Sequence, residues 1–191
     1  MKRPFKWMYI LIATFALIAN GCDTAKSAFL DVKIKHDYTF NKIIFLSAFL
    51  EKYKEQQGAY PEKLEVLEPT LNEYAAQHQA FMEKYLASPW QKRKIGWFFS
   101  ATETPIWYLK DTESGSYYLY TSYGTFAAKA LPPSLLDDVR LGRSRLGRSD
   151  IYLVYGGDLI WGPCRNVNEI TLEKMPQILH PLVYRGHRVY F

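Results

Sequence analysis

Phe40-Asn41-Lys42-Ile43-Ile44-Phe45-Leu46-Ser47-Ala48-Phe49-Leu50-Glu51-Lys52-Tyr53 is the stretch that decides the fold. Phe40, Ile43, Ile44, Leu46, Leu50 and Tyr53 recur at helical spacing, with Lys42, Glu51, Lys52, Lys54 and Glu55 elsewhere on the surface. Gly58 stops the helix in the usual C′ manner. Tyr60-Pro61 opens a short segment in which Leu64 and Leu67 face inward, and Pro69 is expected to end it. A third helix is expected over 71–86, carrying Leu71, Tyr74, Phe81, Met82 and Tyr85.

Beyond Ser88-Pro89-Trp90 the pattern changes to short strands. Residues 95–100 read as one. Residues 106–122 read as a hairpin around Asp111-Thr112-Glu113-Ser114-Gly115, and 151–161 as a second around Gly156-Gly157-Asp158. A third is expected from Leu182 to Phe191 around Arg185-Gly186-His187. Helices first and antiparallel hairpins after predict an α+β fold, with the N-terminal helices laid on the sheet. The expected domain covers 37–191, helical over 37–87 and strand-rich over 95–191. An aromatic share of 16%, with 15 tyrosines, favours a half-buried sheet over a helical bundle.

The start of the chain has a different character. Lys2, Arg3 and Lys6 are basic, no acid precedes Asp23, and residues 7–18 are apolar except Thr14. Such a run is about 18 Å long as a helix, too short for a hydrocarbon core of about 30 Å. A positive start, a short apolar core and small residues beyond it predict a secretory signal over 1–21. Ile18-Ala19-Asn20-Gly21-Cys22 resembles the lipobox of bacterial lipoproteins, in which a small residue precedes an acylated cysteine. The resemblance implies lipid on Cys22, a tether over 22–36 and a bacterial envelope location facing the periplasm. Ala19 stands where leucine is usual. Asp23 resembles the inner-membrane retention signal of enteric lipoproteins. Acyl chains contribute about 0.8 kcal/mol per buried CH₂, so more than one chain anchors stably.

Removing the leader changes the electrostatic reading. The chain has 24 basic and 19 acidic residues, a charge of +5, and losing three basic residues without an acid leaves +2. That balance argues against a nucleic-acid partner. The two cysteines are Cys22 and Cys164. With lipid on the first, the second is expected to be a buried, inert thiol, with an intermolecular disulfide as the sharper alternative. Trp161-Gly162-Pro163-Cys164-Arg165 has a thioredoxin-like outline but lacks the attacking cysteine.

The body carries a second resemblance. Leu50-Glu51-Lys52-Tyr53, Gly58-Ala59-Tyr60-Pro61-Glu62-Lys63-Leu64, the later Pro89-Trp90 and the tyrosine-rich 117–124 resemble type II secretion pseudopilins and type IV pilin-like domains. The resemblance implies a long helix on an antiparallel sheet. The family's Asp-Pro-Trp-Gly stands here as Ser-Pro-Trp-Gln, no acidic cluster suggests its calcium site, and the leader is of another kind. The chain is therefore not expected to polymerise.

Candidate sites are few. Arg140, Arg143, Arg145 and Arg148 lie in or beside a stretch that repeats Leu-Gly-Arg-Ser, read as a mobile loop. Arginine's planar fork suits lipid phosphate or an acidic partner, and the plain alternative is a solvated loop. His36, His78, His180 and His187 show no metal-ligand spacing, no Gly-x-Ser-x-Gly is present, and no isolated carboxylate pair stands out. No metal, cofactor or catalytic residue is expected. The reading is a membrane-tethered binding or accessory module of an envelope assembly, with exposed tyrosines and tryptophans contacting a protein partner. The rival is an envelope enzyme or small-ligand binder with a site assembled from scattered residues.

Overall fold

Helix α1 spans 36–57 and is buried on every side from residue 38 to 50. A computed structural model describes residues 36–87, 105–122, 130–147, 151–163 and 166–182. The leader, Cys22, the tether up to residue 35, the expected strand at 95–100, Pro89-Trp90, residues 183–191 of the expected third hairpin, Cys164, His187 and Arg148 all lie outside them, and His36 of the expected tether begins α1. The chain divides into two units, Met1–His36 and Asp37–Phe191. Among the described residues no helix is long and apolar enough to cross a membrane.

Two apolar stripes explain the burial of α1. Phe40, Ile43, Ile44 and Leu50 share a core with Tyr117, Leu119, Tyr152 and Val154 of the sheet. Phe45 and Phe49 meet Tyr74 at 5.6 and 5.1 Å between ring centroids, and Phe45 lies 6.4 Å from Phe81. A helix apolar on most of its circumference must be covered on most of it. Each fully buried large side chain contributes about 1.5–3 kcal/mol. The polar residues inside this shell need partners, and Asn41 has them. Its Nδ2 donates to the carbonyls of Tyr85 (2.7 Å) and His180 (2.6 Å), and its Oδ1 accepts from the His180 N–H at 2.9 Å.

The covering helices follow at once. A 3-10 turn, Leu64–Leu67, leads into α2, Glu68–Gln77, and α3, Gln79–Tyr85. Pro69 therefore opens α2 instead of ending the segment before it, because a first-turn position needs no N–H partner. The expected single helix over 71–86 is broken at His78, whose backbone (φ −121°, ψ 45°) leaves helical space.

Four strands form an antiparallel sheet in the order β1 (Ile106–Asp111), β2 (Ser116–Ser122), β3 (Ile151–Tyr155) and β4 (Asp158–Trp161). The architecture is α+β, with helices packed on an antiparallel sheet. Both expected central hairpins are present: Leu109 pairs with Tyr118, and Tyr155 with Asp158. The sheet differs from the half-buried one expected. Tyr117, Leu119, Tyr152 and Val154 line the α1 side, and the alternate residues Tyr118, Tyr120, Ile151 and Leu153 form a second core on the other. That second core is closed by α4, Pro133–Arg140, through Leu136 and Val139. Its start at a Pro132-Pro133 pair and its end at Gly142 follow ordinary helix punctuation. The C-terminal half is thus not only strands, since a short α5, Met175–Ile178, follows as well.

Candidate functional site

Neighbouring tyrosines on β2 reach two carboxylates on opposite faces of the sheet. Tyr117 Oη lies 3.2 Å from Glu51 Oε1 on α1, and Tyr118 Oη donates to Asp137 Oδ1 on α4 at 2.5 Å. The alternation of strand side chains is what divides the pair.

The Glu51 cluster is the more enclosed. Tyr60 Oη lies 3.0 Å from both carboxylate oxygens, and Lys54 Nζ donates to Tyr60 Oη at 3.3 Å while standing 4.6 Å from its ring centroid. Ser47 Oγ meets Tyr117 Oη at 2.8 Å. The loop after α1 is held in place by Tyr60 packing on Tyr117 (4.6 Å) and by Tyr108 Oη donating to the Pro61 carbonyl at 2.5 Å. Burial pushes the Glu51 carboxyl above its ordinary value. The hydrogen bonds from Tyr60 and Tyr117 and the charge of Lys54 oppose that rise, and Asp158 adds to it. Burial and the nearby carboxylate together hold the Tyr60 and Tyr117 hydroxyls protonated. A Cβ on Gly157, in the β3–β4 turn, would stand 2.8 Å from Glu51 Oε1. Glycine at this turn therefore lets the hairpin close over the carboxylate. The arrangement can store a proton and tie four segments together, and the Tyr60 and Tyr117 hydroxyls are engaged within it.

The Asp137 cluster faces outward. Arg140 donates to Asp137 Oδ1 at 3.1 Å and lies 4.9 Å from the Tyr155 ring centroid. Tyr155 Oη reaches Asp111 Oδ2 (3.1 Å) and Ser114 Oγ (2.9 Å) in the β1–β2 turn. The hydrogen bond from Ser114 is the largest influence lowering the Asp111 carboxyl below its usual range.

The arginine stretch is shaped, not loose. Gly142, at φ +70°, terminates α4: its N–H bonds the Val139 carbonyl (3.0 Å), and the Arg143 N–H bonds that of Asp138 (2.7 Å). This is a Schellman cap. The Leu146 N–H then donates to Ser144 Oγ at 3.1 Å, and Leu146 packs into the outer core. Arg143 lies 3.6 Å from Asp138, and Arg145 is exposed. The structure brings Arg140, Arg143 and Arg145 onto one segment.

Other expectations resolve differently. No described tyrosine or tryptophan is fully exposed, and Trp107, Tyr155 and Trp161 are among those left partly exposed. Among the described residues the exposed large apolar side chains are Val66 and Leu141. His180 is paired with Asp37 (3.0 Å) and stacked on Phe40 (4.6 Å), a fold contact. His78 sits at the α2–α3 break beside Tyr74. Among the described residues no three His, Cys, Asp or Glu groups come together to hold a metal ion. Sequence reading missed Glu51 as a half-buried, hydrogen-bonded group, since helical spacing alone put it on the surface. The signal that could have found it is the Gly-x-Tyr-Pro loop that folds Tyr60 back over α1. No family model, curated protein or solved structure matches this chain.

Proposed function

We infer that the protein is a bacterial envelope lipoprotein, held to a membrane through lipid on Cys22, whose domain works by binding and not by catalysis. The observation that carries this is the order of Lys2, Arg3 and Lys6, the apolar run 7–18 and Gly21-Cys22. The described domain is consistent in kind. Its half-buried carboxylate, Glu51, is engaged by Tyr60 and Tyr117, as a structural carboxylate would be. The long α1 ending at Gly58, with Tyr60-Pro61 beyond it and a sheet beneath, supports an accessory role in a secretion or pilus-like assembly. Feeding cells an alkyne-tagged fatty acid should label the wild type and not Cys22→Ala. Label on neither removes the anchor and the envelope assignment with it.

A specific feature favours a second reading, an envelope enzyme using the Glu51 carboxyl, whose affinity for protons is raised. Its hydrogen bonds to two tyrosines leave it less free to act on a substrate, so the binding reading stands first.

A further inference from the structure

We propose that the end of α4, residues 140–146, is a second membrane contact that seats on anionic phospholipid headgroups. It deepens the tether reading and rests on it for proximity, since residues 22–36 reach at most about 50 Å from the anchor.

The segment is held at both ends. Leu136 and Val139 are buried on one side of the cap and Leu146 packs into the same core on the other, so Leu141 to Arg145 are pushed outward. At the crest Leu141 is 53% exposed, the most exposed large apolar side chain described. Arg140, Arg143 and Arg145 flank it. Asp137 takes Tyr118 and Arg140, and the half-exposed Asp138 lies 3.6 Å from Arg143, so three arginines face two acids and the segment keeps a surplus of one positive charge. Arg145 carries the charge on toward Arg148 in the sequence.

This chemistry matches a lipid surface. An apolar side chain enters the boundary between headgroups and acyl chains, and guanidinium forks take phosphates around it. A single exposed leucine among arginines is far too small for a standard protein interface, which needs a broad, complementary patch. A membrane rewards each such side chain separately, and a basic residue near an anionic surface is worth a factor of about five. Two free arginines would set an effect of about 25-fold, and Asp138 beside Arg143 lowers the expected value to about tenfold.

The test uses the full chain with Cys22→Ala, so that the docking question is independent of acylation. An environment-sensitive dye on Ser144→Cys, with Cys164→Ala to remove the other thiol, reports the segment itself. Its emission should shift to the blue on vesicles containing phosphatidylglycerol and not on phosphatidylcholine alone. Arg143→Gln with Arg145→Gln should weaken binding to the anionic vesicles about tenfold. Leu141→Ser should weaken it too, Val66→Ser should not, and all should keep the parent circular dichroism. Added salt should suppress the shift. No shift on anionic vesicles, or equal affinity in the arginine variant, overturns the proposal. A shift on polyglutamate with none on vesicles overturns it in favour of an acidic protein partner. Failure of the fatty-acid labelling with this shift intact would remove the anchor and leave the docking surface standing.

Discussion

Helices α1 and α4 end alike and use their ends differently. Each stops at a left-handed glycine, Gly58 (φ +79°) or Gly142 (φ +70°). Each carries a carboxylate bonded to a β2 tyrosine, and a cation laid on another tyrosine, Lys54 on Tyr60 and Arg140 on Tyr155. At α1 a hairpin turn and a loop close over the carboxylate. At α4 the chain turns away and presents Leu141 with the arginines. The same local chemistry is consumed by the fold where it is covered and left for contact where it is not.

The widest expected gap between the two ends lies in their glycines. Gly157→Ala should cost about 2–3 kcal/mol in urea unfolding, because φ is +88° and the new Cβ displaces a carboxylate held by two tyrosines. Gly142→Ala should cost about 1 kcal/mol, since its Cβ meets nothing within 4 Å. Equal costs would mean that the Glu51 end is no tighter than the Asp137 end. The paired tyrosines give a smaller contrast. Tyr117→Phe leaves the buried Ser47 hydroxyl without this partner and the half-buried Glu51 with one fewer, and should cost about 2 kcal/mol. Tyr118→Phe should cost about 1 kcal/mol or less, because water replaces the hydroxyl at the part-exposed Asp137.

The smallest effect concerns pH. Burial holds the Glu51 carboxyl above its ordinary value of 4.5, so the native protein keeps a proton the unfolded chain has released. The stability linked to this group is full below 4.5 and is lost as pH rises through the folded value. One proton limits that slope to about 1.4 kcal/mol per pH unit, and partial exposure reduces it. Glu51→Gln should flatten the decline above 4.5 in denaturant midpoints taken across pH. An unchanged decline would place the proton elsewhere and level the two clusters.

How far the sequence could be read follows from how local each signal is. Period and punctuation identified α1, its stop at Gly58 and both central hairpins, because Phe40 to Tyr53 and Gly156-Gly157 act through their own neighbours. Pro69 was legible as a boundary but not as to which side it served, since proline both ends one segment and opens another. Helix α4 escaped because eight residues offer only two turns of pattern, and a Leu-Gly-Arg-Ser stretch looks loose until the cap that organises it is seen. The burial of the tyrosines was illegible for another reason. Whether a strand has one covered face or two depends on α4, which the strand's own sequence does not mention. Glu51 belongs to the same class: its neighbours lie on a loop, a strand and a turn, and the turn at Gly157 is 106 residues on (157 − 51).

Asn41 lies near the start of α1, yet two of its three hydrogen bonds go to His180, 139 residues later. A chain delivered N-terminus first therefore presents its most apolar helix long before the segment that satisfies that helix's buried amide arrives. Between those moments α1 is a sticky, half-clad rod. The order of delivery, as much as the finished contacts, makes the domain a single cooperative closure, in which the last described turn fastens the first.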